Sequence, residues 1–235
     1  MTESEEFKHW LDTTNSRLWL FGIPGAGKTV LASSVIEKTL KKGNRDSGAA
    51  FFYCDYKNEA SQEPVNVLGS LACHLARQNN ECFQKLLGYY RACNPDGDLP
   101  RARSTTRLLS LILDMASEFD DVALIVDALD ECGKQAIQVE VTELLSSLSN
   151  DGKNIKTLFL SRNEQHIRDI LAEYEEISIA ARSSDLKLYV ASEIELRMRN
   201  KRLRIKSDKL KEHIIDRLVN GADGMYVAVY SPEID

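Results

Sequence analysis

The chain lacks any pair of cysteines at metal or redox spacing. Its five cysteines (Cys54, Cys73, Cys82, Cys93 and Cys132) are scattered, with no C-x-x-C among them. An odd, unspaced set argues against a zinc site or disulfide framework and for reduced thiols in the cytoplasm. No apolar run approaches the roughly 18 residues needed to cross a membrane. The first residues, Met1–Glu6, are acidic where a secretory leader is basic. A cytoplasmic protein without membrane association is therefore expected. Basic excess is also missing: the net charge is −6 and the pI is near 5.4. That balance argues against a broad nucleic-acid surface, and no nucleic-acid partner is expected. Internal repeats and low-complexity tracts are absent, which excludes solenoid architectures. What remains is 235 residues, 43% hydrophobic and 28% charged, enough for one large α/β domain with or without an appendage.

The strongest signal is Gly22–Thr29, Gly-Ile-Pro-Gly-Ala-Gly-Lys-Thr, a full G-x-x-x-x-G-K-[ST] match. The apolar run Arg17–Phe21 before it reads as a buried strand, and Val30–Leu40 after it reads as a helix. Glycines let backbone N–H groups converge on a phosphate, and a helix N-terminus adds partial positive charge there. The cradle comprises Gly22, Pro24, Gly25, Ala26, Gly27, Lys28, Thr29 and Val30. Lys28 can reach the β- and γ-phosphates, and the Thr29 hydroxyl can bind Mg²⁺.

Strand-like and helix-like segments then alternate. Strands are expected over Ala49–Asp55, Val122–Val126, Ile155–Leu160 and Ile177–Ala180. Helices are expected from Pro64, a first-turn proline, over Cys82–Cys93, from a Ser104 cap to Phe119, and over Ala136–Leu148 and Glu164–Ala172. Two more, Asp185–Arg199 and Ser207–Val219, close the chain. Strands joined by such helices imply a parallel sheet with right-handed crossovers. The third strand runs into Asp127, the expected Mg²⁺ ligand opposite Thr29. Ala128 is small enough to leave that strand end open. Asp130 and Glu131 add two carboxylates, either of which can polarise an attacking water as general base. The fourth strand ends at Arg162, which would sense the γ-phosphate if that strand lies between the first and third.

These motifs resemble the NACHT branch of P-loop signalling NTPases, and within it the nucleotide-binding domain of fungal NOD-like proteins, the nephrocystin-type N-terminal domain. The resemblance rests on Trp19–Thr29, Ala123–Glu131, Phe159–Arg162, Asp185–Val190 and Ala222–Tyr226. The Asp-small-apolar-Asp-Glu order distinguishes it from AAA-type ATPases. It implies an α/β three-layer sandwich with a parallel five-stranded sheet in the order 5-1-4-3-2. On this layout residues 1–16 form a lead, 17–181 the NTPase core, and 182–235 a helical extension that is an incomplete lid. The implied function is Mg²⁺-dependent binding and slow hydrolysis of ATP, or alternatively GTP, as a signalling switch, with protein partners or self-association. The resemblance implies that relatives continue beyond the point, shortly after Ala222–Gly224, at which this chain ends at Asp235. A shortened core with micromolar or weaker affinity is the corresponding expectation.

Other features read as structural. The basic run Arg197–Lys206 suits a solvated helix end better than an anion site. His74, His166 and His213 lack metal spacing and are expected at surfaces or boundaries. Tyr89, Tyr90 and Trp10 are expected to pack, with Trp10 able to shield the base. Cys132 borders the acidic site without a paired His or neighbouring Cys. Two other function classes compete: a catalytic P-loop kinase or motor ATPase, for which Arg182 is a weak arginine-finger candidate, and a truncated, non-catalytic interaction protein.

Overall fold

The computed structural model describes residues 5–42, 46–96, 99–179, 183–205 and 207–221. Arg182 and the Ala222–Tyr226 motif lie outside the described residues. The strands are β1 (Arg17–Phe21), β2 (Ser47–Tyr53), β3 (Asp121–Asp127), β4 (Ile155–Ser161) and β5 (Glu175–Ser178). The helices are α1 (Glu5–Asp12), α2 (Lys28–Lys42), α3 (Pro64–Ala76), α4 (Asn80–Cys93), α5 (Thr105–Ala116), α6 (Gln135–Asp151), α7 (Gln165–Ile170), α8 (Ser183–Arg199) and α9 (Asp208–Gly221). The sheet order is β2-β3-β4-β1-β5. Read from the other edge, this is the expected 5-1-4-3-2. The β1–β4, β3–β4 and β2–β3 pairings are all parallel.

Hydrophobic patterning explains the layers. All seven residues of β4 and six of seven in β3 are buried, as central parallel strands covered on both faces require. Val122, Leu124 and Val126 pack with Val67, Leu71 and Leu75 of α3, Ile112 and Met115 of α5, and Leu145 and Leu148 of α6. The alternate residues Ala123 and Ile125 are buried on the opposite face. Pro64 opens α3, Asn79 caps α4 through two backbone amides, and the Ser104 hydroxyl accepts from Arg107 N at 3.4 Å.

The lead is more than a lead. It holds α1, whose Phe7 and Trp10 are buried. The Trp10 indole N–H donates to Thr157 O at 2.8 Å, so Trp10 belongs to the core and is not a shield for a base. Beside it Lys156, 4% exposed as the second residue of β4, is held by Asp121 at 2.7 Å and by Leu11 O at 2.9 Å. Such a buried cation needs both partners. Of the tyrosine pair, Tyr89 packs but Tyr90 is 62% exposed, so only half of that expectation holds.

The chain divides into two compact units, residues 1–21 with 29–177 and residues 22–28 with 178–235. In the second, α8 and α9 pack through Val190, Ile194 and Ile215. Two ion pairs, Lys187–Asp216 at 2.8 Å and Lys211–Glu195 at 3.0 Å, reinforce them. Among the described residues, no helix is long and apolar enough to cross a membrane.

Strand β2 is a sheet edge, and side chains of α3 and of the turn after it cover its open backbone. The Gln78 carboxamide accepts from Ala49 N at 2.9 Å and donates to Ala49 O at 2.6 Å. His74 Nδ1 accepts from Phe51 N at 3.2 Å. Blunting an edge in this way prevents strand addition from another chain. Burial, followed by the charge of Arg77, holds the His74 imidazole below its ordinary value of 6.5. A depressed folded value means this contribution is complete above the unfolded value and is lost as pH falls below it. Denaturant titrations from pH 8 to pH 5 should therefore show stability falling with acid, and His74→Gln should flatten that slope. Equal slopes in the two proteins would remove His74 from the edge-covering role.

Candidate functional site

The glycine-rich segment Gly22–Lys28 follows β1 and leads into α2. Gly25 and Gly27 adopt φ of 72° and 86°, values open to glycine and costly for other residues. A Cβ on Gly22 would collide with the carbonyl of Ile179, which fixes that position as glycine by close approach. The Lys28 ammonium donates to Gly22 O at 2.7 Å and Ile23 O at 3.0 Å, curling over the loop it belongs to. Ala26 is buried, whereas Ile23 and Pro24 are exposed. Thr29 is exposed, and Val30 is 73% exposed at the first turn of α2.

In the first unit the chain leaves β3 at Asp127, which is 2% exposed and whose carbonyl accepts from Cys54 N at 3.0 Å. Ala128 then takes a left-handed conformation, φ 61°, and a single 3₁₀ turn covers Leu129–Glu131. A non-glycine residue in that region costs about 1–2 kcal/mol. This turn points Asp130 and Glu131 in different ways. Asp130 is gripped twice by Arg162: the Arg162 backbone N–H donates to Oδ1 at 2.9 Å, and Nε forms an ion pair with Oδ2 at 3.1 Å. The Asp130 side chain is 6% exposed and the Arg162 side chain 48%. The Glu131 carboxylate has no hydrogen-bond or ion-pair partner among the described residues. Arg162 follows β4, where the Ser161 hydroxyl donates to Arg162 O at 2.7 Å and accepts from the Trp19 indole N–H at 2.9 Å.

A polar recess of about 460 Å³ opens beside this pair, lined by Asp130, Gln138, Arg162, Glu164 and His166 among others. Sequence reasoning missed two of these. Gln138 carries no motif, and His166 reads as a boundary residue, yet the two meet at 2.7 Å. The expectation for Cys132 also needs correcting. Cys54, which follows β2, is the neighbouring cysteine that the sequence hid, because 78 positions separate them. Hydrogen bonding to Cys132 pushes the Cys54 thiol well up, and burial and the Asp127 and Asp130 carboxylates add to the shift. A thiol held protonated and out of solvent is inert. Among the described residues no cluster of three or more His, Cys, Asp or Glu side chains is placed to hold a metal.

The basic run is the end of α8 and the turn after it, with Lys201 left-handed at φ 58° and Arg197 paired to Glu193 at 2.8 Å. Its last residue, Lys206, lies outside the described residues.

Alkylation at neutral pH should modify exposed Cys73 first and leave buried Cys54 and Cys132 protected. Peptide mass spectrometry reads this directly, and early labelling of Cys54 would contradict the thiol environment described.

Similarity to known proteins agrees with this geometry. The chain is 27% identical over 194 residues to the vegetative incompatibility protein HET-E-1 of Podospora anserina, covering 80% of this chain and 13% of that protein. It therefore spans a small part of that relative's length. Among solved structures, the Walker-type ATPase paby2304 of Pyrococcus abyssi superposes with a TM-score of 0.56 at 16% identity, covering 97% of this chain and 65% of the other. The Aeropyrum pernix ORC1 protein, solved in complex with DNA, gives 0.51 at 13% identity, covering 91% and 51%. At such identities these two establish the fold, an α/β P-loop ATPase fold. The family described as Nephrocystin 3, N-terminal, matches residues 1–162, and the chain belongs to that family, as a NACHT-type P-loop NTPase domain.

Proposed function

We propose that the chain binds Mg-ATP and hydrolyses it slowly, as the nucleotide-dependent switch of a signalling protein. The observation that carries this reading is the phosphate loop: two left-handed glycines and a lysine whose ammonium rests on the loop's own carbonyls. Backbone N–H groups arranged by such glycines form an anion-binding concavity. Lys28 exchanges its carbonyl partners for phosphate oxygens, a stronger, charge-assisted contact.

Thr29 and Asp127 are hard oxygen donors. Such a set suits Mg²⁺, which keeps several waters and binds through one or two carboxylates plus substrate phosphates. When bound, Mg²⁺ supplies charge neutralisation on the phosphates. Asp127 would orient it from the end of β3.

The two remaining carboxylates divide their work. Asp130 is committed to Arg162, which contacts both of its carboxylate oxygens and holds the carboxylate as the partner of a cation. Glu131 has no such commitment and is the general base in this reading, placed to take a proton from the attacking water. Arg162 keeps its outer guanidinium nitrogens for the γ-phosphate and reports the loss of that phosphate through Asp130. Similarity to a vegetative incompatibility protein supports a signalling role over metabolic catalysis. Protein partners or self-association complete the reading.

Isothermal titration with ATP, ADP and GTP tests binding. ATP should bind in the presence of Mg²⁺, and Lys28→Ala should lose most of that affinity, since truncating a charge-assisted contact removes about 1.5–3 kcal/mol. Unchanged affinity in the variant would overturn the assignment of the loop.

Hydrolysis is tested separately. Glu131→Gln should keep nucleotide affinity and slow turnover by ~10²–10⁴-fold, the usual cost of a lost general base. Asp130→Asn should act through Arg162, weakening discrimination between ATP and ADP. If Asp130→Asn abolishes turnover while Glu131→Gln turns over normally, the base is Asp130. The wild-type rate should lie well below the ~10 s⁻¹ median of enzymes.

A further inference from the structure

The two loops that carry the carboxylates and the arginine are joined at two points. One joint is the charged grip of Arg162 on Asp130. The other lies behind it and involves no charge. Gln138, in the first turns of α6, donates its Nε2 hydrogens to Asp130 O at 2.6 Å and Gly133 O at 3.0 Å. With both amide hydrogens used on carbonyls, its Oε1 is left facing His166 Nε2 at 2.7 Å. An amide oxygen only accepts, so His166 Nε2 must carry the hydrogen and donate it. His166 stands in the first turn of α7, four residues beyond Arg162. One glutamine therefore spans both ends of the segment Asp130–Gly133 and ties it to the helix that follows the arginine.

We propose that Gln138 and His166 are positioning residues that hold the Glu131-bearing turn in register with Arg162 when the charged grip opens. The physical reason is competition. An anion that draws the Arg162 guanidinium away removes the Nε–Oδ2 contact from Asp130. The turn after β3 would then be held to the end of β4 by the Arg162 backbone N–H on Asp130 Oδ1 without the charged contact, and a second joint adds to that remaining bond. The neutral joint does not compete for the anion, so it survives that exchange and keeps Glu131 where the arginine's movement can be felt. This inference rests on Arg162 facing a phosphate, but the joint itself can be tested without any nucleotide.

Cys132 is the built-in probe, since it lies inside the clamped segment and is fully buried. Cys82, buried against Met115 in a different part of the unit, reports global opening. Alkylation rates of both thiols in the full chain are compared for wild type, His166→Ala and His166→Gln. In His166→Ala, Cys132 should label about five- to tenfold faster, the shift in local opening expected from losing one hydrogen bond. The Cys82 rate should not change. His166→Gln, which restores an N–H donor, should return Cys132 toward the wild-type rate. Gln138→Leu, which removes all three bonds, should exceed His166→Ala. An unchanged Cys132 rate in His166→Ala would overturn the proposal. So would a parallel rise in Cys82, or failure of the glutamine to rescue. With Mg-ATP added, His166→Ala should lower kcat and leave KM in place, and a rise in KM alone would count against positioning. A wild-type chain that binds no Mg-ATP sinks the switch reading, while the thiol rates still decide the joint.

Discussion

Burial of β4 between β1 and β3 is the constraint from which the rest of this structure follows. Seven consecutive residues, Ile155–Ser161, are all buried, and both neighbours pair with them in parallel. Parallel pairing brings the C-terminal ends of adjacent strands to one edge of the sheet, where open α/β folds gather their ligands. The register sets Phe21 against Ser161 and Val126 against Phe159. The chain therefore leaves β3 and β4 side by side, and Asp130 meets Arg162 across a sequence distance of 32 residues. The β3–β4 pairing is what brings both that contact and the Gln138–His166 joint together.

Burial also sorts the acidic groups by role. Asp130 is almost fully enclosed and a carboxylate so placed requires compensation, which two contacts from Arg162 provide. Arg162 is half exposed and loses little by exchanging one anion for another. The pair is thus tight on one side and labile on the other, the asymmetry on which the proposed switch would draw. Glu131, one residue on, is turned away by the 3₁₀ geometry and stays uncommitted. The left-handed Ala128 makes that divergence by breaking the alternation of the strand. Strain of this kind persists only where surrounding contacts over-determine it, and here the Gln138 carboxamide and the Arg162 grip supply those contacts.

The interior uses polar groups sparingly and pairs them. Lys156 with Asp121, Trp10 with Thr157 O and Trp19 with Ser161 each anchor a strand to a neighbouring element. Each bond links positions more than 30 residues apart, so none can form before the sheet has its order. Edge strand β2 is finished by His74 of α3 and Gln78 of the turn after it, which bond the backbone of Phe51 and Ala49.

Local signals made much of this legible. The phosphate loop, the strand ending in Asp127 and the Ser104 and Asn79 caps are each contained within a few residues, because the chemistry they serve acts over one turn of backbone. The sheet order became readable only through resemblance to a family. The lead was harder: α1 is two turns long, and its buried face, Phe7 and Trp10, gains meaning only against β4. Gln138, His166 and the Cys54–Cys132 pairing left no trace at all, since each depends on residues far apart in sequence. Sequence by itself determined which residue types stand at the phosphate loop and at the ends of β3 and β4. Tertiary structure decided which carboxylate is bound and which is free, because that choice depends on the partner that the parallel register brings beside it.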